Sequence, residues 1–252
     1  MATLAWVDAN KNNQPLIDQI MQKATQKKGL NHKEAALLLE SGNPEETARL
    51  ARSIRAKFYG NRIVLFAPLY LSNYCVNGCL YCPYNAQNKN IARKKLSQGD
   101  IRREVIALQD MGHKRIVIEA GEHPAHSPIE YVLESIKTIY NTQHKNGKIR
   151  RLNVNLAAAT VEEYKQLKQA GIGTYILFQE TYHQETYKKL HPTGPKSDYA
   201  WHTEAMDRAM QGSLDDVGIG VLFGLANYRY EFIALLMHAE HLEKHMASPP
   251  TP

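Results

Sequence analysis

The hydrophobic positions change period part-way along the chain. Over residues 15–27 the apolar side chains Leu16, Ile17, Ile20, Met21 and Ala24 recur three and four apart, the spacing that lines one face of a helix. Asn31, with Glu34 three residues on, has the pattern of a capping box and predicts a second helix over 35–40. Gly42-Asn43-Pro44 breaks it. A third helix is expected over 45–58, with Ala48, Leu50, Ala51, Ile54 and Phe58 on one broad face. These stripes are expected to cover the main domain and carry no assigned chemistry.

From Arg62 onward short apolar runs alternate with longer helical patterns. Strands are expected over 63–66, 115–119, 152–156, 174–179 and 217–223, with 67–71 leading out of the first. Helices are expected over 100–111, 128–140, 184–190, 199–211 and 229–245, and after Thr160, whose reciprocal capping partner is Glu163. That order predicts right-handed βαβ units around a parallel sheet. In such folds the working residues sit on the loops after the strand C-termini.

The loop after the first strand carries the strongest chemical signal. Cys75, Cys79 and Cys82 are the only cysteines of the chain and follow the spacing C-x3-C-x2-C. An odd number packed into one loop is no disulfide framework and reads as a metal site. Thiolates select zinc, copper(I) or iron–sulfur clusters. A structural zinc site wants four closed ligands, so a Cys3His site completed by one of the 11 histidines is one reading. A [4Fe-4S] cluster wants one cysteine per iron, and three thiolates leave one iron open to an exogenous ligand. Further candidates lie at later strand ends. Ala120-Gly121-Glu122 follows the second strand, where small residues let backbone approach a ligand and a carboxylate can pair with an ammonium. Asn153 and Asn155 share one side of the third strand by the period-two rule, and amides there must be paired, by a ligand or by neighbouring strands. Gln179 and Glu180 bring polar groups to the end of the fourth strand, where a ribose or an amino acid would need them. His183, His191 and His202 read as surface or satisfied structural groups, and Tyr140, Tyr164 and Tyr175 as core or helix-face aromatics.

Composition narrows the setting. Hydrophobic content of 43% and charged content of 22% are ordinary for a globular protein. No run approaches the ~18 apolar residues of a membrane span, and the first ten residues lack the pattern of a secretion signal. Reduced cysteines suit the cytoplasm, the expected location. The net charge of +6 is scattered rather than gathered into a nucleic-acid surface, so neither nucleic acid nor membrane is an expected partner.

The cysteine loop, with aromatic Tyr81 just before its last cysteine, resembles the signature of the radical S-adenosylmethionine (SAM) enzymes. The resemblance implies a [4Fe-4S] cluster on Cys75, Cys79 and Cys82, an open iron that chelates the methionine moiety of SAM, and Tyr81 near the cofactor. It also implies that Ala120-Gly121-Glu122 is the Gly-Gly-Glu-like element that binds the amino group of SAM. The stretches 67–75, 178–183, 191–196 and 217–225 are similar to the tyrosine-cleaving branch, which comprises the HydG-type maturases of [FeFe]-hydrogenase and the ThiH type of the thiazole pathway. Cys82-Pro83-Tyr84, Arg93-Lys94-Lys95-Leu96 and Asp207-Arg208-Ala209-Met210 lean toward the HydG type. That branch implies cleavage of the Cα–Cβ bond of L-tyrosine to p-cresol and dehydroglycine, the latter a source of CO and cyanide. A reductant such as flavodoxin or ferredoxin and hydrogenase maturation proteins are the implied partners. The implied fold is α/β, a partial (β/α) TIM-like radical SAM barrel with an N-terminal helical extension.

The expected domains are an N-terminal helical extension over 1–60, the partial barrel over 61–245 and a proline-rich, disordered tail over 246–252. Five strands, and no cysteine after Cys82, lead to the expectation of a truncated form by comparison with the longer HydG type, with 217–223 expected as an exposed sheet edge. A ThiH-like synthase and a non-catalytic metal-binding fragment are the alternatives.

Overall fold

A computed structural model describes residues 2–41 and 43–247. Of the break at 42–44, Gly42 lies outside the described residues, as do 248–252 of the expected tail. The described residues divide into two compact units, 65–225 and 2–64 together with 226–247.

In the second of these, α1 (Ala2–Asn10), α2 (Gln14–Thr25), α3 (His32–Glu40) and α4 (Pro44–Tyr59) precede the sheet, and the last helix of the chain, over Tyr228–Ala247, joins them. The Asn31–Glu34 capping box forms as its spacing predicts. Val7, Ile17, Ile20, Ala36, Leu37 and Ile233 make a buried core of their own, so the stripes of α2 and α3 serve this helical unit itself. Each Val, Leu or Ile among them contributes roughly 1.5–3 kcal/mol on full burial. The broad face expected on α4 is different. No residue of α4 is buried, and Phe58 is 51% exposed. The helix α1 was not expected from the pattern.

The unit 65–225 contains β1 (Ala67–Ser72), α5 (Gln98–Asp110), β2 (Arg115–Ala120), α6 (Ile129–Asn141), the short ribbon of β3 (Gln143–His144) and β4 (Gly147–Lys148), and β5 (Arg151–Asn155). It continues through α7 (Val161–Gln169), β6 (Tyr175–Glu180), α8 (Gln184–Leu190), α9 (Tyr199–Thr203), α10 (Ala205–Gln211) and β7 (Val217–Val221), and the last helix is then α11 (Tyr228–Ala247). Five strands form one sheet in the order β1-β2-β5-β6-β7, every pair parallel. This is a partial (β/α) barrel. Among the described residues β1 and β7 each have one strand neighbour, so both are edges, as expected for β7.

The first strand lies later than the apolar pattern suggested. Residues 63–66, expected as a buried strand, precede β1 and are exposed, Ile63 by 75% and Leu65 by 71%. Pairing with β2 begins at Ala67 opposite Ile116, and among the described residues 63–66 belong to no ladder. An apolar run becomes a strand only where a ladder accepts its backbone groups. Ile101 and Val105 of α5, Val132, Ile136 and Ile139 of α6 and Leu167 of α7 are buried, as are Ile116, Ile118, Leu152 and Val154 of the sheet. The Thr160–Glu163 capping box starts α7. Tyr164 and Tyr175, fully buried, tie down the loop after β5: the Tyr175 hydroxyl lies 3.0 and 2.9 Å from the Leu156 and Ala157 carbonyls. Among the described residues no helix is long and apolar enough to cross a membrane.

Candidate functional site

The loop that leaves β1 is shaped by its own residues and by one later segment. The Arg93 guanidinium donates to the carbonyls of Asn73 (2.6 Å), Tyr84 (3.0 Å), Asn85 (2.7 Å) and Asn88 (3.2 Å), which folds residues 73–93 around a single side chain. Residues 190–194 supply the other wall. Leu80 N donates to Leu190 O and Gly78 N to Thr193 O, each at 3.0 Å. His191 Nδ1 faces the Tyr187 carbonyl at 2.8 Å, and a carbonyl only accepts, so Nδ1 carries the proton. Its Nε2 therefore accepts from the Tyr81 hydroxyl at 2.7 Å. Burial holds His191 below the usual histidine range, consistent with that neutral tautomer.

Cys75, Cys79 and Cys82 line one cavity of about 240 Å³, together with Tyr81, Glu122 and Lys196. All three are free thiols, Cys79 buried and the others half-buried. Burial pushes the Cys79 thiol up to about 11, against the pull of the Lys196 cation, and raises Cys82 for the same reason. Thiols held up in this way become thiolates when a cation is bound among them. Among the described residues no three His, Cys, Asp or Glu side chains converge as they would around one ion. Three thiols that line one cavity, with no other cysteine in the chain, fit the donor set of a cubane cluster with one iron left open.

The end of β2 faces the thiols. Gly121 N donates to Ser72 O at 2.9 Å, and a Cβ at Gly121 would run into the Tyr74 carbonyl, so only glycine allows this approach. Glu122 is tied to the cysteine loop twice, by Val76 N to its carbonyl (2.8 Å) and by Asn77 Nδ2 to its Oε2 (2.6 Å). Burial raises the Glu122 carboxyl above its ordinary value, opposed by the Asn77 hydrogen bond and by Lys196. Glu119, half-buried in the same cavity, is raised by burial alone.

The remaining candidates divide. Asn155 lines the cavity, as do Ala120, Gly121 and Glu180. Asn153 is not among the lining residues; its Oδ1 accepts from Thr174 N at 3.1 Å. Gln179 is buried, and its amide donates to Thr203 Oγ1 at 3.0 Å. A register shift between Phe178 and Glu180, with Glu180 at φ 69°, turns that carboxylate into the cavity. There it meets Lys196 Nζ at 2.7 Å. Lys196 is a cavity residue to which no role had been given, although 191–196 stood out as a motif. His202 also lines the cavity, with Nε2 donating to the Phe178 carbonyl at 2.9 Å. Asn77 lies inside the cysteine motif, and an amide between two cysteines was the signal available for it; the structure buries it.

The radical SAM superfamily model matches residues 69–236. The chain belongs to the radical SAM superfamily. Members of this superfamily use SAM and a [4Fe-4S] cluster. Among solved structures, the radical SAM chain is 52% identical to a HydG described as a maturase of the [FeFe]-hydrogenase, with TM-score 0.93, covering 99% of this chain and 56% of that one. HydG from Carboxydothermus hydrogenoformans is 39% identical, with TM-score 0.87, over 99% and 58%. The 2-iminoacetate synthase of Escherichia coli (strain K12) is 33% identical over 206 residues, which is 81% of this chain and 53% of that protein. The chain thus spans about half the length of the relatives it matches. It is a radical SAM enzyme related to HydG and ThiH, as the motifs implied.

Proposed function

We propose that this chain carries the SAM-cleaving half of a tyrosine lyase of the HydG kind, acting in the cytoplasm in the making of the [FeFe]-hydrogenase cofactor. The observation behind the reading is the cavity in which three thiols, with no fourth cysteine in the chain, face Glu122 and Glu180.

Cys75, Cys79 and Cys82 would hold the cluster. When bound, that group supplies the electron for reductive cleavage of SAM and leaves one iron for the methionine chelate. Glu122 accepts from the SAM ammonium, with Ala120 and Gly121 leaving room for it. Glu180 and Asn155 offer acceptor and amide to the ribose, and Tyr81, its hydroxyl held by His191, lines the same cavity. Lys196, the one Lys or Arg among the cavity-lining residues, is placed for a ligand carboxylate. Asn153 and Gln179, each hydrogen-bonded within the protein, would shape this wall from behind.

Hydrogen abstraction from L-tyrosine with Cα–Cβ cleavage gives p-cresol and dehydroglycine, which together hold the atoms of tyrosine. A flavodoxin- or ferredoxin-like protein is the proposed reductant, and other hydrogenase maturation proteins the proposed recipients. Delivery of dehydroglycine to thiazole synthesis is the second reading, favoured by the 33% identity to 2-iminoacetate synthase.

Anaerobic reconstitution with iron and sulfide tests the reading. About four irons per chain and an electron paramagnetic resonance spectrum that changes on adding SAM are expected, followed by p-cresol from tyrosine. Zinc alone, or a cluster indifferent to SAM, would overturn it.

A further inference from the structure

Asn77 stands between the first two cysteines and is 3% exposed. Its amide orientation follows from its partners. Lys196 N can only donate and lies 2.9 Å from Oδ1. The two Nδ2 protons therefore face the opposite way, where Nδ2 is 2.6 Å from Glu122 Oε2 and 3.7 Å from Cys75 Sγ. Gly194, at φ 90°, passes so close that a Cβ there would strike Asn77 Oδ1 and Cα. The backbone of 194–196 thus holds the amide in place, and its main-chain carbonyl is held by Ala86 N at 2.9 Å.

Both acceptors of this amide are anionic in the working site, one a carboxylate and the other a metal-bound thiolate. A neutral group with two protons at 120° can satisfy both at once. A hydrogen bond to a carboxylate leaves the second oxygen free and fixes its direction. A hydrogen bond to a ligating sulfur stabilises the more electron-rich state of an iron–sulfur centre and raises its potential.

We infer that Asn77 is a positioning residue that couples the two cofactors: it aims Glu122 at the ammonium of SAM and, through the same amide, tunes the thiolate of Cys75. The inference rests on the SAM-site reading above. Loop folding alone would need only the Oδ1 and main-chain contacts, not the donation to Glu122 and Cys75.

The test uses the full chain reconstituted with iron and sulfide, in wild-type form and as Asn77→Asp, which keeps the shape and the acceptor but loses both donors. Asn77→Ser serves as a smaller, uncharged second variant. With a full iron complement, both variants should bind SAM at least tenfold more weakly, and the SAM-free centre should show a lower midpoint potential. SAM binding by Asn77→Ser/Glu122→Gln should be no weaker than by Glu122→Gln alone, because the two residues act as one unit. Wild-type SAM affinity and potential in an iron-loaded variant would overturn the inference, as would additive losses in the double variant. Iron loss in both variants would do so too, by assigning Asn77 to loop folding. Failure of the underlying reading shows separately, as a wild-type protein that takes up no cluster or no SAM.

Discussion

Lys196 and Glu180 form an ion pair at 2.7 Å, with only 18% and 14% of their side chains exposed. Glu180 sits in the left-handed region, and Leu222 N holds its carbonyl at 2.8 Å. Removing one partner of a largely buried pair leaves an uncompensated charge. Lys196→Met should cost about 3 kcal/mol, the low end of the range for such pairs. Urea denaturation of Lys196→Met and of Lys196→Met/Glu180→Gln measures it, and most of the loss should return in the double variant. A single variant as stable as wild type would mean that Glu180 is solvated without its partner.

His202 makes stability depend on pH. Burial first, then Lys196, pushes it from its ordinary 6.5 down to about 3. Between those values the unfolded chain binds a proton that the folded chain refuses, so stability is full above pH 6.5 and falls as pH drops toward about 3. His202→Gln keeps a donor for the Phe178 carbonyl and does not titrate. Its stability should fall less than wild type between pH 7.5 and pH 4.5 in parallel urea titrations. Equal slopes would place the acid sensitivity elsewhere.

Alanine at Cys75, Cys79 or Cys82 should abolish iron uptake, since each thiol would ligate a different corner. A variant that keeps the full iron complement would remove that cysteine from the ligand set. Glu122→Gln removes a charge-assisted contact of ~1.5–3 kcal/mol. The variant should keep its iron and bind SAM about 10- to 150-fold more weakly, read by equilibrium binding; unchanged affinity would move the amino-group site.

Residues 63–66 expose four large apolar side chains in succession just before β1 in the chain, and β1 is an edge strand of its sheet. Unpaired edges next to apolar runs are templates for aggregation. Leu65→Lys and Phe66→Lys together should raise the concentration at which this chain stays monodisperse in light scattering, without lowering its urea midpoint. A lower midpoint would show that the run is packed in solution.

Much of this was legible because local rules and tertiary structure agree. The change of hydrophobic period marked the parallel sheet, and the capping boxes at Asn31 and Thr160 formed where their spacing put them. The cysteines announced themselves by spacing. Tyr164 and Tyr175 are core aromatics, as read. What was hidden depends on partners distant in the chain. Residues 63–66 look like a strand, but the ladder with β2 starts only at Ala67. The period-two rule sets Asn153 beside Asn155 and says nothing of the Thr174 amide that occupies one of them. Lys196 gave no signal of its own: only the folded chain carries its ammonium to Glu180.

The grip of Arg93 on four main-chain oxygens shapes the cysteine loop without drawing on any of its three thiols, which stay free for ligation. Lysine could not stand in, because one ammonium offers three donors from a single point where a planar fork reaches four carbonyls.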